Sequence, residues 1–179
     1  VSNCQVLWVH VTRDVLMSTL TPIQQLAPKS RFYLDQCQAT EAPYNENPGH
    51  STVGIGRMVY VAETDAQAKK EAGEAVVRHV HTFTGASTSG YLGTISKDNK
   101  DKYQVASYED LCEDTIIYGS PETVTEKIRY MEETTGADSL ILHFPPQNTR
   151  EQNKRTLRLF ADEVIPKFAD HKKSGVSAG

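Results

Sequence analysis

Residues 119–168 run through a capped amphipathic helix, a short apolar strand and a second capped amphipathic helix, and that succession constrains the fold more than any other feature. Ser120 suits the N-cap. Pro121 suits the first helical position, where a missing N–H costs nothing, and Glu122 complements the positive end of the helix. Val124, Ile128 and Met131 then fall on one face, and Gly136 suits the left-handed residue that ends a helix. Ser139-Leu140-Ile141-Leu142-His143-Phe144 reads as a strand stopped by Pro145-Pro146. The last helix opens on the capping box Thr149-Arg150-Glu151-Gln152 and buries Leu157, Phe160, Val164, Ile165 and Phe168, while Pro166 bends or shortens its final turn.

The same grammar appears upstream. Residues 53–61 form a β-branched run fit for a buried strand, and Thr64-Asp65-Ala66-Gln67 supplies another capping box. Ala68, Ala72, Val76, His79 and Phe83 continue as one helical stripe. From Gly85 to Asp114 the periodicity dissolves, which suits a lid or binding loop and equally a disordered insertion. Nearer the start, residues 6–11 and 15–18 compete for one strand, and a helix from Pro22 to about Gln38 is interrupted or restarted by Pro28. Strand, helix, strand, helix, long loop, helix, strand, helix is the order of parallel β/α units.

Composition excludes several classes. The formal charge is -4, from 19 basic and 23 acidic residues, and no basic block exceeds Lys172-Lys173, so no footprint for nucleic acid or an anionic membrane is present. No apolar run approaches the roughly 20 residues of a membrane span. Cys4, Cys37 and Cys112 are odd in number and far apart, which fits neither a disulfide framework nor a zinc knuckle and points to a reducing cytoplasm. One domain over residues 1–170, with a disordered tail over 171–179, is the expected organisation.

Several motifs fail on context. Gly54-Ile55-Gly56 lies inside a strand, where a dinucleotide-binding loop would follow one. His79 and His81, two apart on a helix, point to different faces and make a poor metal pair. The acidic group Glu109, Asp110, Glu113 and Asp114 reads as a solvated rim before it reads as paired catalytic carboxylates, because no apolar setting to raise a pKa is visible.

Three stretches in order carry a resemblance: Arg57-Met58-Val59-Tyr60-Val61-Ala62-Glu63-Thr64 with Asp65-Ala66-Gln67-Ala68, then Tyr118-Gly119-Ser120-Pro121-Glu122-Thr123-Val124-Thr125-Glu126-Lys127-Ile128, then Gly136-Ala137-Asp138 through Leu157 to Pro166. Together they resemble the C-terminal portion of luciferase-like flavin-dependent monooxygenases, well over residues 53–84 and 116–168 and weakly over 15–52. That family folds as a (β/α)8 TIM barrel of about 250 residues or more. The resemblance therefore implies a partial barrel, roughly the last three β/α units with a long loop insertion. The earlier strands, which carry much of the flavin phosphate site, would lie upstream, and a first residue of Val1 in place of Met agrees with that expectation.

The resemblance also implies chemistry. Reduced FMN, supplied by a flavin reductase, would activate oxygen to oxidise a small organic substrate, in a full-length protein that is a homo-oligomer. The isolated chain would be inactive. A deazaflavin (F420) oxidoreductase of the same fold, or a non-catalytic half-barrel that binds a partner or completes itself by dimerising, are the competing readings. Barrel sites lie at the C-terminal ends of strands, here Ser18 and Thr19, residues 62–64 and residues 143–145. Alternation puts Val53, Ile55, Arg57, Val59 and Val61 on one face and Gly54, Gly56, Met58 and Tyr60 on the other. A flavin fits better against the glycine-bearing face, which favours Met58 and Tyr60 over Arg57 as pocket residues. Ser120 at a helix N-terminus and Phe144 at a strand end are further candidates for cofactor or substrate contact. His143 is the candidate proton donor, against the plainer reading of a hydrogen-bonded core residue. Tyr91 and Tyr103 in the long loop are candidates to close over a substrate. Sulfonate-oxidising members carry Arg and His on the strand where Gly56 and Met58 stand here, which counts against a sulfonate substrate.

Overall fold

A computed structural model of the chain describes residues 14–17, 20–39, 52–86, 104–144 and 147–169. Four strands, β1 (Asp14–Met17), β2 (Thr52–Val61), β3 (Ile117–Gly119) and β4 (Ser139–His143), form one sheet in which every pairing is parallel and involves β2. Gly54 and Ile55 are paired on both edges at once, with Leu16 and Met17 of β1 and with Ser139 and Leu140 of β4. Farther along, Val59, Tyr60 and Val61 pair with β3. Parallel neighbours require crossover connections, and helices supply them. Helix α1 (Ile23–Ala39) follows β1. After β2 come α2 (Asp65–Ala68), a π-helical turn (Lys69–Gly73) and α3 (Glu74–Ala86). Helix α4 (Tyr108–Asp114) precedes β3, α5 (Pro121–Thr135) joins β3 to β4, and α6 (Arg150–Leu159) runs on into a π turn (Phe160–Val164) and a 3-10 turn (Ile165–Phe168). The expected parallel α/β class is what the described residues adopt.

Alternation along β2 divides the core. Val53, Ile55, Val59 and Val61 pack with Ile117 beneath Ile23 and Leu26 of α1 and Val124, Ile128 and Met131 of α5. Met58 and Tyr60 turn the other way, joining Tyr118 with Ala68, Ala72, Val76 and Val80 and with Leu111 of α4. Residues 53–61 are buried throughout, as expected of a strand covered on both faces. Arg57 shares that burial, and its Nη2 donates to the Thr21 carbonyl at 2.9 Å, a bond that offsets part of the cost of withdrawing a guanidinium from water.

β4 is different. Its residues alternate between exposed and half-buried, and Ile141 is 49% exposed. Beside it lies an apolar groove of about 460 Å³, lined by Ile128, Met131, Leu140, Phe160, Ile165 and Phe168.

Local expectations met mixed outcomes. The N-terminal strand occupies Asp14–Met17, within one residue of the second of the two competing segments; residues 6–11 lie outside the described residues. Helix α1 runs through Pro28 without a break, because Pro28 faces solvent while Leu26 and Ser30 hold the buried side, the Ser30 hydroxyl donating to the Thr135 carbonyl at the end of α5. Gly136 takes the left-handed conformation, with φ 69°. Within the stretch that shows no periodicity, Ser107 and Asp110 form a reciprocal capping box that starts α4. With only Leu111 buried, that helix is too short to show a stripe.

One contact fastens α6 to the sheet. The Thr156 hydroxyl, fully buried, accepts from the Val61 N–H and donates to the Val61 carbonyl, each at 3.2 Å. Thr156→Val keeps the shape and strands both backbone groups, so urea unfolding is expected to show a loss of about 1–3 kcal/mol. A loss below the measurement error would mean that solvent or a neighbour replaces the hydroxyl.

Candidate functional site

In parallel α/β units the loops at the C-terminal strand ends gather side chains from different elements. Three polar groups meet there in this chain.

The first is the N-terminus of α5. Ser120 caps its own helix, accepting from the Thr123 N–H at 3.3 Å. The Ser120 N–H donates to Asp65 Oδ1 at 2.6 Å, and the Thr123 hydroxyl to Asp65 Oδ2 at 2.9 Å. A carboxylate from the start of α2 thus occupies the position where a helix N-terminus would receive an external anion. Burial alone would raise the Asp65 pKa, but the bonds from Ser120 and Thr123 and the charge of Lys127 together lower it. Gly119, at φ 154°, makes this possible: a Cβ there would lie 2.6 Å from Asp65 Oδ1 and 2.8 Å from Thr123 Cγ2.

The second group surrounds Tyr60, whose ring is fully buried. Its hydroxyl donates to Glu71 Oε2 at 2.5 Å and accepts from Arg155 Nη2 at 3.0 Å, while Arg155 also pairs with Glu71. Gln67 does not reach back to complete the capping box expected at Thr64; its amide donates forward to Glu71 Oε1 at 2.9 Å, although Thr64 does accept from the Gln67 N–H. Glu71 sits in the π turn, so one carboxylate ties together β2, the helix after it and α6.

The third group is the end of β4. His143 is exposed and Phe144 half-buried. Met58, 1% exposed, is the register partner of His143 and packs on the same face. His79 of α3 is half-buried near His143, and the Gln147 amide contacts its Nδ1 at 3.3 Å. His81 points elsewhere, with Nε2 at 2.9 Å from the Ala106 carbonyl, as the two-residue spacing requires. Burial, and then the charge of His143, lower the His79 pKa.

Of the residues singled out from sequence, the structure places His143 and Met58 in register, Phe144 directly after His143 at the strand end, Tyr60 inside the core beyond Met58, and Ser120 at a helix end engaged by Asp65. Ser18, Thr19, Tyr91, Tyr103 and Pro145 lie outside the described residues. The acidic group is dispersed in role: Glu109 pairs with Lys69, Asp110 caps α4, and Asp114 Oδ1 accepts from the Ile23 N–H at 3.0 Å. Sequence reading missed Glu71 and Arg155 as site residues, and weighed His79 only as a stripe residue and a poor metal ligand. Gln67 and Glu71, four apart, were a visible helical pair, but Arg155 comes from another helix with no local signal. No cluster of three or more metal-ligating side chains occurs among the described residues, and no described helix is long and apolar enough to cross a membrane.

Residues 14–139 match the family model for the luciferase-like monooxygenase. No curated protein sequence matches the chain. Among solved structures, monooxygenase RslO1 from Streptomyces bottropensis superposes with a TM-score of 0.59 at 20% identity, over 87% of this chain and 41% of that one. The oxygenating constituent of 3,6-diketocamphane monooxygenase from Pseudomonas putida, solved with FMN, gives 0.55 at 21% identity, over 86% and 42%. The coenzyme F420 dependent tetrahydromethanopterin reductase of Methanopyrus kandleri gives 0.56 at 16% identity, over 89% and 46%. The chain spans less than half the length of each of the three, and at these identities the likeness is one of fold.

Two outcomes test the site's construction. Gly119→Ala forces a strained backbone and a clash with Asp65, and is expected to cost about 1–3 kcal/mol in urea unfolding, with Asp65→Ala costing about 1 kcal/mol through the lost cap. Equal stability of Gly119→Ala and wild type would contradict the packing described. The folded-state His79 pKa is lowered, so its contribution to stability is present above about pH 6.5 and is lost as pH falls through the folded value. NMR titration is expected to place the His79 midpoint below that of a free imidazole and to move it upward in His143→Gln; an unmoved midpoint would show that burial alone sets it.

Proposed function

Because the chain belongs to the luciferase-like monooxygenase family, we propose that it supplies the closing β/α units of a (β/α)8 barrel that oxidises a small organic substrate with reduced FMN and oxygen. In this reading residues 1–170 are one part-domain followed by a tail, and the 179-residue chain is inactive alone. The full protein works in the reducing cytoplasm as a homo-oligomer served by a flavin reductase. The observation that carries the proposal is the exposure of β4. A strand in a closed parallel barrel is covered on both faces, whereas β4 leaves Ile141 49% exposed on one face and on the other has Leu140 lining an apolar groove. A match to only 41–46% of the length of the similar structures supports the same reading.

The residues present fit one half of a flavin. Register puts Ile141 and His143 of β4 on the face that carries the buried Gly54, Gly56 and Met58, so the surface left to a ring system is the exposed one at Ile141 and His143. The phosphate has no such place at α5, since Asp65 fills that N-terminus. When bound, a reduced flavin supplies the electrons that activate oxygen. Of this chain's own residues, His143 would hold a proton on its imidazole facing the ring, Phe144 would exclude water beside it, and Met58 would back His143. Tyr60 and Ser120 would shape the site from within, their polar atoms already engaged.

Anaerobic titration of the chain with reduced FMN and reduced riboflavin, followed by fluorescence quenching, tests this assignment. The expected affinities agree within about threefold, because the described residues hold the ring and not the phosphate. His143→Ala is expected to weaken both. A strong preference for FMN would overturn the assignment. Quenching only by a reduced deazaflavin would select hydride transfer, and quenching by none would leave a non-catalytic half-barrel. Size-exclusion chromatography addresses the partial barrel itself: association is expected from the open strand edge, and a monomer with cooperative unfolding would contradict it.

A further inference from the structure

On the helix-side face of β4, opposite Ile141 and His143, the apolar groove has Leu140 as its floor, with Met131 of α5 and Phe160, Ile165 and Phe168 of the turns after α6 as its walls. The outer wall is held in place. The Arg129 guanidinium lies 5.7 Å from the Phe168 ring centroid, and its Nη2 donates to the Lys167 carbonyl at 3.5 Å. Ile165, on that wall, is 53% exposed. Burying apolar surface contributes roughly 25 cal/mol per Å², so an apolar group that fills the groove stabilises the chain.

Two carboxylates stand at the groove. Asp138 Oδ1 accepts from the Val53 N–H and so serves the sheet, while Glu132 brings a second carboxylate to the α5 wall. An apolar slot with an acceptor on one wall suits an indole, whose ring is buried while its N–H takes a hydrogen-bond partner.

The chain has a single tryptophan, Trp8, within the apolar run Val6-Leu7-Trp8-Val9-His10-Val11, which precedes β1 and lies outside the described residues. Reach puts this run within range. β1 begins at Asp14, in register with Thr52, and counting back two residues from the Gly54–Ser139 pair puts Ala137, which lines the groove, on the same level across β2. Two strand spacings, about 10 Å, separate those levels. The three residues from Val11 to Asp14 span up to about 10 Å when extended, and Trp8 stands a further three residues back. Charge agrees with the placement, because residues 1–13 include Arg13 and no acidic residue, whereas the groove carries Glu132 and Asp138. A tether this short holds the run at an effective concentration of about millimolar, above that of a second copy in dilute solution.

We propose that residues 6–11 dock in the groove beside β4, with Trp8 seated against Met131, Phe160 and Phe168 and its indole N–H donating to the Glu132 carboxylate. Phenyl edges and the Met131 thioether are favourable neighbours for the indole ring. The docked run latches the turns after α6 to α5 and β4, tying the start of the chain to its last helix. Ile141, His143 and the edge of β4 away from β2 take no part in this contact, so the surface offered to a flavin and the docked groove lie on opposite faces, and neither proposal depends on the other.

As the one indole, Trp8 reports its own surroundings in the whole chain. Its emission is expected at shorter wavelength than that of N-acetyltryptophanamide, with acrylamide quenching reduced several-fold and both values unchanged on dilution. Glu132→Ala should raise the undocked fraction about tenfold, the contribution of one hydrogen bond to a charged group. Ile165→Glu places a charge on the groove wall at an exposed position and should return the emission and quenching of Trp8 to those of the free indole. Val105→Glu, at a position 81% exposed and not part of the groove, should change neither. Urea midpoints of the two Glu variants separate release of Trp8 from unfolding, and should Ile165→Glu fail to fold, Glu132→Ala carries the same test on a half-buried side chain. Trp8 as accessible as free indole, protection lost on dilution as for docking between copies, or emission unmoved by Ile165→Glu in a folded chain would each overturn the proposal.

Discussion

Everything described in this chain hangs on the backbone of β2, because Gly54 and Ile55 are shared between two strands and the residues beyond them pair with a third. Register along this strand decides two surfaces at once. A slip of one residue would send Val53, Ile55, Val59 and Val61 to the face now held by Met58 and Tyr60. It would also take the Arg57 guanidinium from the Thr21 carbonyl. Asp138 guards against that slip at the start of the strand, its Oδ1 accepting from the Val53 N–H at 3.0 Å while its own N–H donates to the Val53 carbonyl. Thr156 does the same at the far end, on Val61. With both ends clamped, the alternation between them is fixed.

Carboxylates do much of the joining, and they do it where charge would otherwise be available for a ligand. Asp65 spends both oxygens on the N-terminus of α5, and Glu71 spends both on Tyr60, Gln67 and Arg155. Asp114 caps the start of α1. The histidines near β4 are arranged otherwise. His143 is exposed, and His79 is the nearby group whose charge state responds to it. The contrast separates a part of the strand-end surface that is committed to holding the fold from a part left open to something else.

How much of this was legible beforehand depended on whether the signal was local. The Ser120-Pro121 and Thr149-Gln152 helix starts, the Gly136 stop and the two faces of β2 all rest on spacings of a few residues, and all are found as read. Pro28 misled because the cost of a missing hydrogen bond is judged locally, whereas packing of α1 against α5, through Ser30 and the Thr135 carbonyl, outweighs it. The α4 cap was legible in principle, as Ser107 followed by Asp110 three residues later, but it lay within polar sequence without an apolar stripe to mark a helix. Arg155 beside Glu71, 84 residues away in sequence, left no trace that spacing can carry.

The even-numbered face of β2 shows why the site was only partly legible. Met58 and Tyr60 share that face with Gly54 and Gly56, and sequence alternation assigns all four the same environment. The structure buries all four, and it is α2, the π turn and α3, folding back over the end of the strand beside β3, that cover Met58 and Tyr60 with Ala68, Ala72, Val76 and Val80. Alongside Gly54 and Gly56 the neighbour is β4, whose Ile141 and His143 remain uncovered on the same side. Alternation reports which way a side chain points and nothing about what lies over it. Coverage is a property of the neighbouring strand's own helix, and for β4 that helix, α6, is held on the opposite face by Thr156 and Val164. The open surface at His143 therefore follows from where α6 is fastened, not from any residue on β4 itself.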